Sequence, residues 1–139
     1  MTAIAEPLLL AYLRTRYRVL GDEGFVLRIG ERSEELAELL RHAGRDCAAF
    51  LTAWNPRGEL ASAEQNRHAQ DSLLGELRAR GFTCVAGAGE DPDGEWAGEE
   101  SALVPGLGLG EASLLAARCG QNALVWAGAD ARPQLILLR

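Results

Sequence analysis

The chain has 139 residues, 47% hydrophobic and 24% charged, an ordinary globular composition long enough to bury a core in one domain spanning 1–139. Its net charge of −6 and pI near 4.9 argue against a nucleic-acid phosphate backbone or an anionic membrane surface as partner, because both call for a basic face. No stretch approaches the roughly 18 apolar residues of a membrane span. The first residues, MTAIAEPLLLAYLRTRY, lack a basic lead-in and carry an apolar run too short for secretion, so the expected location is the cytoplasm.

EPLLLAYLRTR (6–16) reads as a helix: Pro7 suits a first turn, and Leu9, Tyr12, Leu13 and Arg16 share a face. YRVL (17–20) and FVLRIG (25–30) read as strands around the turn GDEG. Ser33 is placed to cap SEELAELLRHA, whose buried stripe is Leu36, Leu39, Leu40 and Ala43 and whose stop is Gly44. CAAFLTA (47–53) is nearly continuously apolar, the pattern of a strand buried on both faces. Ser62 and Gln65 have capping-box spacing at the head of a helix that runs to Gly81. FTCVAGAG (82–89) is a strand, DPDGEWAGEE a loop, SALVPGL (101–107) a strand and GEASLLAARCG a helix ending at Gly120. NALVWAG (122–128) and QLILLR (134–139) form a final hairpin around ADARP. Helical crossovers imply parallel neighbours and hairpins antiparallel ones, so the expected fold class is α/β (mixed α+β): a single mixed parallel/antiparallel sheet with helices packed on it.

All 14 basic residues are arginine, and with the richness in Ala, Gly and Leu this reads as the mark of a GC-rich genome. Six acids and no base lie between Glu90 and Glu100, so the whole charge excess sits in that segment. Cys47, Cys84 and Cys119 are widely spaced, form no C-x-x-C pair and stand in apolar contexts, as inert core thiols do.

Several segments in the same order resemble a bacterial family: FLTAWNP (50–56), Glu64–Asn66–Arg67, GAGEDPDGEW (87–96), Glu100–Ser101, GQNALVW (120–126) and LILLR (135–139). The family is known as domain of unknown function 3293, and the resemblance runs from about Tyr17 to Arg139. It implies a compact bacterial domain, and no activity or catalytic residue comes with it.

The central strand ends in Thr52, Trp54, Asn55 and Pro56. Asn55 stands before a proline and is expected to be extended. In open α/β sheets ligands bind beyond strand ends, so Thr52 and Asn55 either line a site or satisfy backbone groups in a tight loop. Asn66 lies on the core side of the next helix, one turn in, pointing at that loop. Either it pins the loop or it joins Asn55 in facing a ligand. Arg67 has two readings, an anion near the helix start or a surface pairing with Glu64 or Asp71. Gln121 and Asn122 either cap the preceding helix or, if their strand runs antiparallel to the central one, stand next to Asn55.

Asp91 and Asp93 begin like a calcium loop without completing it, and with Glu100 they form the only candidate donor set for a divalent ion; a solvated loop is the favoured reading and no metal is assigned. No catalytic motif is present, and His42 and His68 fall on polar helix faces. The preferred expectation is a strand-end cleft for a small polar molecule, lined by Thr52, Asn55, Asn66, Arg67, Glu100, Ser101, Gln121 and Asn122, with no cofactor. The alternatives are a hydrolase or transferase with Glu100 as general base, and a protein-interaction domain that docks its acidic loop, 90–100, on a basic partner.

Overall fold

A computed structural model describes residues 4–21 and 24–138. Its elements are α1 (Glu6–Arg14), β1 (Arg16–Val19), β2 (Phe25–Leu27), α2 (Glu34–Ala43), β3 (Ala48–Leu51), α3 (Ala63–Ala79), β4 (Val85–Glu90), β5 (Glu99–Pro105), α4 (Leu109–Arg118), β6 (Ala123–Ala127) and β7 (Gln134–Leu137), with one short 3-10 turn at Pro56–Gly58. The order of helices and strands is the expected one. Asp22 and Glu23 of the first turn and the terminal Arg139 lie outside the described residues.

The strands form one seven-stranded sheet, β2-β1-β4-β5-β3-β6-β7, and every neighbouring pair in it is antiparallel. The expectation of a mixed parallel/antiparallel sheet is therefore corrected. The helical crossovers do join strands that point the same way, as their geometry demands. Those strands are not neighbours, however. β3 and β4, joined through α3, flank β5; β5 and β6, joined through α4, flank β3. In each case an oppositely directed strand occupies the slot between them.

Two apolar layers result. Phe50 of β3 joins Val19, Leu27, Leu103 and Val125 under α2, whose Leu36 and Leu40 close that face. Ala49 and Leu51 join Ala102, Val104 and Leu124 on the other face, under Leu73 and Leu77 of α3 and Leu115 of α4. Alternate residues of β3 thus enter different layers, which is why its sequence is apolar throughout. The caps follow the sequence: Ser33 accepts from the Leu36 N–H at 3.0 Å, Ser62 and Gln65 form a reciprocal capping box, and Gly44 takes the left-handed conformation (φ 67°).

Two helix faces differ from expectation. Ala43 is exposed and Leu39 only half-buried, so Leu36 and Leu40 alone form the fully buried stripe of α2. α1 stops at Arg14, since Arg16 already pairs in register with Glu90. It buries no residue fully. The side that meets the body is Leu8, Ala11 and Tyr12 rather than the stripe ending at Leu13 and Arg16, and Leu13 is left exposed.

Gly87 is needed for close approach: a Cβ there would stand 2.8 Å from the Phe50 ring and 2.8 Å from the Arg18 carbonyl. Gly75, on α3, has nothing within 4 Å. Gly87→Ala should therefore destabilise the protein by about 1–3 kcal/mol through overpacking. Gly75→Ala should stabilise it by up to about 1 kcal/mol through helix propensity. Urea unfolding of the two variants checks both signs; a neutral Gly87→Ala would contradict the packing described.

Candidate functional site

Beyond Leu51 the chain makes a tight excursion before α3, and side-chain hydrogen bonds specify nearly every step of it. Thr52 Oγ1 accepts from the Trp54 N–H at 2.9 Å and donates to the Glu100 carbonyl at 2.5 Å. Gln70 Oε1 accepts from the Ala53 N–H at 2.9 Å. Asn55 and Asn66 form a reciprocal pair: Asn66 Oδ1 accepts from the Asn55 N–H at 2.8 Å, and Asn66 Nδ2 donates to Asn55 Oδ1 at 2.8 Å. Asn55 Oδ1 also accepts from the Ala61 N–H at 3.0 Å, while Asn55 Nδ2 donates to Glu99 Oε2 at 2.9 Å.

Asn55 is not extended, as its place before proline suggests; it is left-handed, with φ 46° and ψ 68°. Asparagine tolerates this region better than most residues, and the hydrogen bonds on its amide and N–H hold it there. Arg57 is left-handed as well (φ 60°). The far side of the loop is clamped by the end of α4. Gly120 accepts from the Arg57 N–H at 2.8 Å, and a Cβ on Gly120 would meet Pro56 at 3.0 Å. Gln121 Nε2 donates to the Trp54 carbonyl at 3.1 Å.

Because β6 runs antiparallel to β3, Gln121 and Asn122 arrive beside this loop; neither side chain caps α4. Asn122 Nδ2 instead donates to the Tyr12 hydroxyl of α1 at 3.1 Å.

Between α1 and the sheet, beside this loop, lies a cavity of about 530 Å³. Its floor is in register across three strands: Tyr17 of β1 pairs with Gly89 of β4, which pairs with Glu99 of β5. Gly89 places no side chain between the phenol and the carboxylate, and a Cβ there would touch the Thr15 methyl at 3.7 Å. Leu8, Ala11 and Tyr12 form the roof, and Trp54, Leu60 and Trp96 belong to the two loops at its rim. Thr52, Asn55, Asn66, Ser101 and Gln121 are among the lining residues; Arg67, Glu100 and Asn122 are not.

Strand parity explains the difference between the two glutamates. Glu99 and Ser101 point to the α1 side of the sheet, and Glu100 points to the α3 side, where its carboxylate meets Arg67 Nη1 at 2.7 Å. The Arg67 guanidinium also lies 5.9 Å from the Trp54 ring centroid. Arg67 thus supports a cavity wall from outside.

Glu99, which the sequence reading passed over, is the carboxylate inside. Burial pushes its carboxyl above the ordinary value, and the hydrogen bond from Asn55 offsets part of that rise. Tyr17 is raised as well, chiefly by burial, and its hydroxyl donates to the Tyr12 carbonyl at 2.6 Å. The signal available in sequence was period-two alternation: once Ser101 is assigned to the site, Glu99 shares its face and Glu100 does not.

The acidic segment is a hairpin loop with partners. β4 extends to Glu90 and β5 begins at Glu99, so only residues 91–98 form the loop. Arg18 pairs with Glu90 at 2.8 Å, and Arg14 with Asp93 at 2.5 Å. Asp91 accepts from the N–H groups of Asp93 and Glu95, shaping the turn. Asp91, Asp93 and Glu100 therefore point to separate partners. No group of three or more metal-ligating side chains gathers among the described residues.

Two measurements test this geometry. Asn66→Ala strands the Asn55 N–H and should lower stability by about 1–3 kcal/mol, whereas Arg67→Ala, which breaks an exposed pair, should cost less than about 1 kcal/mol. Denaturant unfolding would contradict the network if the order were reversed. The second measurement concerns Glu99. A carboxyl raised on folding binds its proton more tightly in the folded chain, so its charge is a penalty at neutral pH. That penalty lifts as pH falls through the raised value and is gone below the ordinary 4.5. Glu99→Gln keeps an acceptor for Asn55, so its melting temperature should exceed the parent's at pH 7. The gap should close in acid; one that widened there would contradict the assignment.

No curated protein and no solved structure matches the chain. The family model for a protein of unknown function, DUF3293, matches residues 51–124, from the last residue of β3 to the second of β6. That span holds the Asn55–Asn66 pair, Glu99 and Gln121, and leaves out Tyr12 and Tyr17. On this match, the chain belongs to the DUF3293 family of proteins of unknown function.

Proposed function

We propose that this protein binds a small organic molecule in the cavity between α1 and the sheet. The observation that carries this reading is the volume, about 530 Å³, within the range of small-molecule sites. The lining supports it too: apolar and aromatic side chains predominate around a few polar groups. Leu60 stands at the rim 93% exposed, a large apolar side chain with no cover from the chain itself.

The polar character expected of the ligand shifts with the geometry. Both oxygens and both amide nitrogens of the Asn55–Asn66 pair already hold partners: each other, the backbone or Glu99. Gln121 holds the Trp54 carbonyl. These amides shape the cleft, leaving the apolar wall and Glu99 as its recognising surfaces. A general base at Glu100 lacks support, since that carboxylate is engaged by Arg67 on the far face. Acid–base chemistry by Glu99 is the second reading, favoured by its raised carboxyl. Docking of the acidic loop on a basic partner loses force, because Glu90, Asp93 and Glu100 already carry arginines.

A neutral fluorescent apolar probe, N-phenylnaphthylamine, tests the binding reading. It should bind the parent saturably and raise its melting temperature. Ala11→Phe in the roof and Ala123→Phe in the wall should each weaken that binding about tenfold or more while circular dichroism stays unchanged. An absence of saturable binding to the parent, or equal binding by folded cavity-filled variants, contradicts it.

A further inference from the structure

We infer that the ligand of this cavity carries a cationic nitrogen, a primary amine or ammonium group on an apolar body, and that Glu99 is its counter-charge. The inference rests on the reading of the cavity as a binding site.

Charge pairing around the acidic hairpin carries the argument. Glu90, Asp93 and Glu100 each have an arginine at 2.5–2.8 Å, brought in from β1, α1 and α3 respectively. Among the described residues half-buried Glu99, flanked by these pairs, has no cation; Asp91 and Glu95 have none either, but Asp91 accepts from two backbone N–H groups and Glu95 is exposed. The Oε2 of Glu99 accepts from Asn55, and Oε1 has no hydrogen-bond partner among the described residues. A carboxylate partly withdrawn from water is completed best by an opposite charge and further hydrogen bonds. Here the vacant oxygen belongs to a residue that lines the cavity, so the completing group would come from a ligand.

The surroundings suit a cation. Tyr12, Tyr17, Trp54 and Trp96 line the same space, and aromatic faces attract ammonium groups. No arginine lines it among the described residues, so an anionic ligand would meet Glu99 without compensation from them. Gly89, which also lines the cavity, puts no side chain between Tyr17 and Glu99. The apolar remainder of the cavity, from Leu8 to Val125 and Leu135, matches a hydrocarbon or aromatic body.

The test uses three probes of one shape: naphthylethylamine, naphthylethanol and naphthylacetate, titrated by calorimetry at neutral pH. The amine should bind about tenfold or more tighter than the alcohol, as charged hydrogen bonds warrant, with the carboxylate weakest. Glu99→Gln should bring amine and alcohol to within about threefold of each other. A pH series on the parent keeps the test valid if Glu99→Gln fails to fold: as pH falls below the carboxyl's ordinary 4.5, Glu99 takes up a proton while the amine stays charged, and the amine preference should shrink to within about threefold. Equal affinities for amine and alcohol in the parent at neutral pH, or an amine preference that survives both the substitution and acid, overturn the cationic ligand while leaving the cavity as a binding site. Failure of all three probes to bind overturns both readings.

Discussion

Asn55 adopts a left-handed backbone directly before a proline, and the reciprocal hydrogen bonds with Asn66 hold it there. The Asn66 side chain accepts from the Asn55 N–H and donates to the Asn55 side-chain oxygen, so it is not satisfied without Asn55. Buried amides left unpaired are costly, and α3 cannot dock with Asn66 inward unless Asn55 is in place. The same Asn55 amide then reaches across the sheet edge to Glu99. One short motif thus sets the exit of β3, the entry of α3 and the orientation of the carboxylate in the cavity.

The all-antiparallel sheet makes this possible. Inserting β5 between β3 and β4 puts Glu99 next to the strand end from which the Asn55 loop leaves. Placing β6 antiparallel on the other side of β3 delivers Gly120 and Gln121 to the same loop. A parallel β6 would have begun at the opposite end of the sheet, leaving the Trp54 carbonyl without Gln121. α1 then spans the open end, and its ties include the Tyr12 hydroxyl to Asn122, the Tyr12 carbonyl to Tyr17, and Arg14 to Asp93. With no fully buried residue of its own, α1 roofs a space rather than filling a core.

Much of this was legible in the residues. Periodicity and capping signals located every helix and strand in order, because Ser33, Ser62, Gly44 and the apolar run at Ala48–Leu51 act locally. Strand order was not legible: a helical crossover fixes the relative direction of β3 and β4, but what sits between them depends on a hairpin folding back over distance. The juxtaposition of Asn55 and Asn66 could be anticipated from a strand end followed by a helix start. Glu99 was missed because its chemistry depends on strand phase, and the phase of β5 is set by pairing with β4 as far as Gly89 opposite Glu99. The arginines that pair with Glu90, Asp93 and Glu100 come from β1, α1 and α3, elements the sequence order keeps apart from the hairpin.

This frame holds Glu99 half-buried against the cavity, with the Asn55 amide but no cation as its partner among the described residues. Carbon-13 NMR titration of the glutamate side-chain carboxyls reads that directly. Glu99 should titrate above the exposed glutamates, and saturation with naphthylethylamine should move its midpoint downward, since a bound cation favours the charged form. A Glu99 carboxyl that titrates with the exposed glutamates and does not respond to the amine would contradict it.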